Sequence, residues 1–547
     1  MTLDLLIVLF AGVSEAIGQS VVLFANRVTP GRFAISLLLN ALLVAAGFAS
    51  LVVCTWLSFF VPGSHPVGLG ILTSTIALSY VPLLIAFLAA LPYAGNALMW
   101  ALRVAQLVAM VTGVAAAFNL SLWMSAAHVA TGWAVKLGLR QLFSKPFAGF
   151  ESFLKNAAAG KALVGEKVAV RRVAGALAAA PVTPSVPRGA GTPSHRPGQA
   201  LFVVIAVTIL SVIAILIALT PLRVAIAHTY ANLMVLRAGF DVVWIAVAAI
   251  VIAAFLAPLE TLGWWAGWYG DDVAADHPQA KPPNGVVRDA QPARYLVYLD
   301  GISQSSATYT PDVETFLDAL QAELPAGVVL IRGIMAYSVL NRPLDDDPMY
   351  ARFWKWVETL RSGAKTAIIG MFINIRNVMI VAVSADARYG PLYNLGVAQV
   401  AYNQLVQRGY RPNSGVPITL IGYSGGGQMS AEIGPLLKRA FGAPLDIISL
   451  AGVMTGTCPF LHIDHLHHMY GSKDVIEPLG PIMFSSRWNI MKHSNWNRAI
   501  RHGKISIAHL GPVGHQVPGG LLDPSYAMPD GRSALRQTLD HISALIK

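Results

Sequence analysis

The chain has 547 residues, of which 55% are hydrophobic and only 12% charged, a balance that excludes an ordinary soluble protein and requires part of the chain to live in lipid. Two cysteines, Cys54 and Cys458, are too few for a disulfide framework. The formal net charge of +11 fits either nucleic acid or an anionic membrane surface; no nucleic-acid-binding motif accompanies it, so the membrane reading is preferred.

In chain order, Met1-Thr2-Leu3-Asp4 has no lysine or arginine ahead of its apolar run, so no cleaved signal peptide is expected. Apolar runs at 5–24, 34–60, 68–92 (with Pro82 inside) and 98–118 each supply the roughly 20 residues that a bilayer crossing requires. Residues 120–137 read as a fifth span or an interfacial segment, completing an N-terminal transmembrane region over 1–137. From 138 to 199 the chain is basic: Arg140, Lys145, Lys155, Lys161, Lys167, Arg171, Arg172, Arg188 and Arg196 face only Glu151 and Glu166, which predicts a cytoplasmic linker. Phe143, Phe147, Phe150 and Leu154 recur at helical spacing there, as in an interfacial helix on anionic lipid or a plain loop helix. From Ala180 the composition turns to proline, glycine and serine, a flexible linker. Two further spans are expected at 200–220 and 239–257, which return the chain to the linker side and make the following domain cytoplasmic. Trp264, Trp265, Trp268 and Tyr269 then read as an interfacial aromatic belt, and 270–293 as a polar tether.

Beyond the tether the pattern changes to alternating strands and helices: strands at 294–300, 327–332, 417–421, 445–450, 466–470 and 504–510, helices at 311–323, 388–409, 426–440 and 531–546. This alternation predicts an α/β domain with a parallel sheet covered on both faces. The fifty-odd residues between the second strand and the helix at 388 have no place in a minimal sheet. They hold Phe353, Trp354 and Trp356 and the apolar run Ala367 to Val383, and 333–387 reads as a lid or cap, or else as a buried helix or extra strand.

The chemistry centres on 417–427, PITLIGYSGGG. A short apolar strand breaks at Gly422 into glycines carrying one serine, Ser424, and a helix follows, which is the strand–turn–helix context of a G-x-S-x-G nucleophile elbow. A serine hydroxyl needs a histidine to take its proton, and the histidine needs a carboxylate to hold its tautomer. Both follow at turns after later strands: Asp474 in Gly-Ser-Lys-Asp, with Glu477 and Asp464 as competitors, and His515 in Gly-Pro-Val-Gly-His, with His509 and His502 as competitors.

On these motifs, together with YLVYLDGIS at 295–303, residues from about 290 to 547 resemble the α/β-hydrolase superfamily of esterase- and lipase-like serine hydrolases. The resemblance implies a reduced, mostly parallel α/β-hydrolase sheet, a catalytic triad of Ser424, Asp474 and His515, and an oxyanion hole made by the N–H groups of Gly425 and Ile302. The loop carries Asp300-Gly301 where family members often have His-Gly. The membrane half from 20 to 125, beginning VVLFANRVTPGRF, faintly resembles the Yip family, and no function is drawn from that.

His462, Asp464, His465, His467 and His468 have alternate spacing but no second ligand cluster to complete a metal site; they read as active-face or solvated residues, and no metal or cofactor is expected. Glu15, Arg103 and Gln106 are costly in lipid and read as interhelical hydrogen-bonding groups, or as a polar path. The expected activity is membrane-anchored hydrolysis of an ester or thioester, with the bilayer and a small-molecule or lipid acyl substrate as partners and no nucleic acid. The other class that fits is a membrane transport or scaffold protein with a non-catalytic, hydrolase-like binding domain.

Overall fold

The computed structural model describes residues 2–61, 67–164, 257–259, 261–268, 292–305, 309–339 and 365–546. The chain divides into an N-terminal helical unit, which includes Leu262–Trp268, and a C-terminal α/β unit.

In the helical unit, α1 (Thr2–Gly18), α2 (Val21–Ala25), α3 (Pro30–Leu57), α4 (Leu69–Leu78), α5 (Gly95–Phe118), α6 (Leu122–Leu142) and α7 (Ser144–Ala159) follow in sequence. Three helical stretches are long and apolar enough to cross a membrane: Pro30–Phe60, Leu69–Ala90 and Gly95–Phe118. The second bends after Leu78 into a 3-10 helix, Val81–Ala90, because Pro82 offers no N–H and crowds the carbonyl four residues back.

The first expected span, 5–24, is not one continuous helix: α1 ends at Gly18 after 17 residues, and a turn at Gln19-Ser20 separates it from α2. α6, the candidate fifth span, is not among the three apolar stretches. His128 of α6 is buried, stacked on Phe59 with ring centroids 3.9 Å apart and bonded through Nδ1 to Ser58 Oγ at 3.1 Å. Glu15 and Arg103 pair with each other across α1 and α5, and Arg103 Nη1 donates to Gln106 at 3.1 Å. Glu15 and Arg103 are thus paired between helices, whereas Gln106 is bonded to Arg103 within α5.

The aromatic belt needs correction. Trp268 is buried against Phe24 and Phe33, with its indole N–H on Val28 O at 2.9 Å, so it is core of the helical unit rather than a lipid anchor. Trp265 donates to Ala25 O at 3.2 Å under the Arg27 guanidinium. Phe143, just ahead of α7, and Phe150 within it are exposed, which fits an interfacial helix and a plain loop helix alike, while Phe147's side chain lies outside the described residues. Outside them too are the basic stretch from 165 to 199, the spans at 200–220 and 239–256, Tyr269, and the tether to 291.

The α/β unit holds one six-stranded sheet, all parallel, in the order β2-β1-β3-β4-β5-β6. Its strands are β1 (Arg294–Leu299), β2 (Val328–Ile331), β3 (Ile418–Tyr423), β4 (Leu445–Leu450), β5 (His465–Tyr470) and β6 (Ile505–His509). Covering helices are α8 (Pro311–Glu323), α9 (Lys365–Ala385), α10 (Gly390–Gln407), α11 (Gly425–Phe441), α12 (Leu479–Met483), α13 (Asn495–Arg501) and α14 (Ala534–Ile546). β3 is buried at every position, as expected for a central parallel strand with both faces covered. One face packs Val313, Phe316 and Leu317 of α8 and Leu535, Leu539 and Ile542 of α14 against Leu296, Tyr298 and Ile421, each such side chain contributing about 2 kcal/mol on burial.

Of the insertion at 333–387, residues 340–364, with Phe353, Trp354 and Trp356, lie outside the described residues. The remainder includes α9, whose second half is buried through Asn377, Ile380 and Val383. α9 packs on α10 and α11, which fits the buried-helix alternative for this part of the insertion.

Candidate active site

β3 delivers the chain to Tyr423, and α11 begins at Gly425. Between them Ser424 adopts φ +51°, ψ −119°, a conformation a non-glycine residue takes only under strain. The turn is held from both sides: Ser424 N–H donates to Leu450 O at 2.9 Å, and its carbonyl accepts from Gly427 N–H at 3.0 Å and Val453 N–H at 3.2 Å. The hydroxyl therefore stands at the N-terminus of α11, where helix dipoles and free N–H groups favour negative charge.

β5 and β6 end on loops that are tied together by backbone bonds, Ser472 N–H to Gly511 O at 2.8 Å and Lys473 N–H to Val513 O at 3.1 Å. One loop carries Asp474, the other His515. His515 Nε2 lies 2.9 Å from Ser424 Oγ, and His515 Nδ1 lies 2.9 Å from Asp474 Oδ2. Asp474 Oδ1 accepts from the N–H groups of Ile476 and Glu477 at 2.8 and 2.9 Å. Burial pushes the Asp474 carboxyl up, but the His515 hydrogen bond and charge, with those two N–H groups, outweigh it and hold the group below the usual carboxylate range. Asp474 is thus an anion at neutral pH, which orients His515 with Nδ1 protonated and Nε2 free to accept the serine proton.

The competing residues go elsewhere. Glu477 Oε1 takes His468 Nε2 at 3.1 Å and Arg487 Nη2 at 2.9 Å. Asp464 pairs with Lys438 at 2.5 Å. His502 and His509 are exposed, the latter against the Tyr470 ring. His468 is neither solvated nor at the site: it is fully buried, bridging Ser449 Oγ (3.0 Å from Nδ1) to Glu477. His465 and His467 do share a face, both bonded to Ser506 Oγ.

Gly425 and Ile302 lie side by side: a Cβ on Gly425 would meet Ile302 Cγ2 at 2.9 Å, Val381 Cγ2 at 3.0 Å and the Tyr337 hydroxyl at 2.6 Å. Three contributors are absent from the motif reading. Tyr423 donates its hydroxyl to His515 O at 2.7 Å and stacks on the imidazole; as the residue before the serine it had a signal. Tyr337 donates to Asp300 O at 3.1 Å, and Asn377 donates to Ile302 O at 2.7 Å and Gln304 O at 2.8 Å. The last two fix the 300–304 loop from distant segments and have no local signature.

Asp300 is 1% exposed; its Oδ1 accepts from Tyr298 at 2.9 Å, and its Oδ2 has no hydrogen-bond partner among the described residues. Burial, opposed by hydrogen bonds from Gly301 and Tyr298, pushes the carboxyl up to about 6 from 3.8. The folded state thus holds this proton more tightly than the unfolded chain, so stability is full below the unfolded value and falls as pH rises through 6, by up to about 3 kcal/mol in all. In Asp300→Asn that slope should flatten. Thermal midpoints in detergent between about pH 4 and 7 check it, and a variant that keeps the wild-type slope assigns the titration to another group.

No family model matches the chain, and searches of curated proteins and of solved structures likewise find no match.

Proposed function

We propose that residues 294–547 form an α/β-hydrolase domain with serine hydrolase activity on an ester or thioester, anchored to the membrane by the N-terminal half. The observation that carries this reading is the continuous relay from Ser424 Oγ through His515 to Asp474, two contacts of 2.9 Å, built on a positive-φ turn between strand and helix. Supporting it, the three side chains come from turns after β3, β5 and β6, in the chain order Ser, Asp, His.

In the proposed reaction Ser424 Oγ attacks the carbonyl carbon while His515 Nε2 takes the hydroxyl proton. The N–H groups of Gly425 and Ile302 hold the oxyanion, and Asp474 stabilises the imidazolium without taking its proton. Collapse expels the alcohol or thiol, which receives the proton from His515 and leaves an acyl-Ser424. Water, deprotonated by the same nitrogen, then releases the acid. The acyl substrate is drawn from lipid or another small molecule, with no cofactor, and the basic composition of 138–199 supports a cytoplasmic side for the domain.

A fluorophosphonate probe applied to membranes carrying the folded protein should label Ser424, identified by mass spectrometry of the modified peptide; an unlabelled serine in folded protein defeats the mechanism. The second reading, a transport or scaffold protein with a non-catalytic binding domain, is favoured by the burial of Ser424, which is only 6% exposed. It requires that Ser424→Ala leave the cellular phenotype intact.

A further inference from the structure

Directly after Asp474 the chain forms a knuckle whose apolar side chains face solvent. Val475 is 75% exposed, Ile482 69% and Ile490 78%, and Met483, Trp488 and Met491 are about half exposed. These are not scattered residues. Trp488 Nε1 donates to Pro481 O at 2.6 Å, folding the second half of the segment back on α12, and Asn497 Nδ2 donates to Trp488 O at 2.8 Å and Met491 O at 3.0 Å, fastening it to α13. Six large apolar side chains exposed within one short, hydrogen-bonded segment mark a candidate binding surface.

The charges around it point to the partner. Between residues 475 and 510 the only carboxylate is Glu477, which is buried and held by His468 and Arg487. The exposed ionic groups of the stretch are Lys492, Arg498 and Arg501, all cationic. An isologous contact between two copies would bring these like charges together, whereas phosphate headgroups would neutralise them. The same chain carries three helical stretches of membrane-crossing length and hydropathy, so a lipid surface is always at hand.

We propose that the knuckle at 475–491, framed by Lys492, Arg498 and Arg501, docks on an anionic lipid bilayer, with Ile482 and Ile490 entering the headgroup–acyl boundary. This docking stands apart from catalysis by Ser424 and does not require it.

The test uses the full chain in nanodiscs of mixed phosphatidylcholine and phosphatidylglycerol. Both native cysteines are buried, so a nitroxide reagent reacts at an introduced one: Ile482→Cys, Ile490→Cys, or Asp318→Cys on α8 as an aqueous reference, where the side chain is 72% exposed. At 482 and 490, collisions with oxygen should exceed those with a water-soluble nickel chelate, the reverse of the order at 318, and the excess should shrink when phosphatidylglycerol is replaced by phosphatidylcholine. Aqueous behaviour at 482 and 490 in the anionic discs overturns the proposal. Spin–spin broadening between copies also overturns it, assigning the knuckle to a second chain instead.

Discussion

Ester turnover is expected to fall roughly a million-fold in Ser424→Ala, with the fold retained. The alanine has the same Cβ at the same positive-φ position, so the turn costs no more than before, and only the hydroxyl 2.9 Å from His515 Nε2 is removed. What remains is water attack helped by the oxyanion donors. His515→Ala should lose about as much, and the double variant little more, because a nucleophile and its base act as one unit. Asp474→Asn should cost about ten-thousand-fold, since an amide at the 2.9 Å contact no longer selects the tautomer with Nδ1 protonated. Initial rates on a nitrophenyl ester, measured on full-length protein in detergent with circular dichroism as the control for folding, check all four. If the serine and histidine losses add, the two side chains do not share a step and the relay is not the catalytic device.

The largest structural effect is expected from Gly426→Ala. A Cβ there would fall 2.2 Å from Leu299 O and 2.6 Å from Asp300 O, both backbone atoms at the end of β1, so no side-chain rotation relieves the clash. Either α11 lifts off the sheet or the 300–302 loop moves. The first outcome costs more than about 4 kcal/mol, a loss that marks a specific structural lesion. The second shifts Ile302 relative to Ser424, and misplacement by about 1 Å is enough for a hundredfold loss of rate. Gly434→Ala on the same helix is the control: its nearest neighbours are the ends of the Ile447 and Leu445 side chains at 3.1 Å, which can give way. Yield of monodisperse protein and thermal midpoint should drop sharply for the first variant and little for the second. Equal behaviour of the two would show that the close approach to β1 is not required.

The α/β half was legible wherever local chemistry punctuates the chain. Leu445–Leu450 and Pro311–Glu323 have the bounds read from sequence because Pro444 and Gly452 bracket the strand and Pro311 opens the helix. Asp474 and His515 were legible because each follows a strand in a glycine-bearing turn. His468 was not: it alternates with His467 across β5, and with helices on both faces of the sheet, spacing alone does not say which histidine meets Ser449 and Glu477. Tyr337 and Asn377 reach the 300–304 loop from segments 37 to 75 residues away, a distance no local pattern spans. In the membrane half, hydropathy counted residues 5–24 as one run and missed the turn at Gln19-Ser20. It likewise read Trp268 as facing lipid when its partners, Phe24 and Phe33, lie at the far end of the sequence.

The sheet order carries a consequence for biogenesis. β1 sits between β2 and β3, and Tyr295 must wait for Ile418, about 120 residues later, before its second edge is paired. While the ribosome makes that interval, Leu296 and Tyr298 have only β2 and α8 to shield them. Parallel pairing at such sequence separation is slow and leaves the nascent domain open to aggregation. Chains arrested before Ile418 should therefore be handed to chaperones or proteases, whereas chains extending past α11 should hold their own.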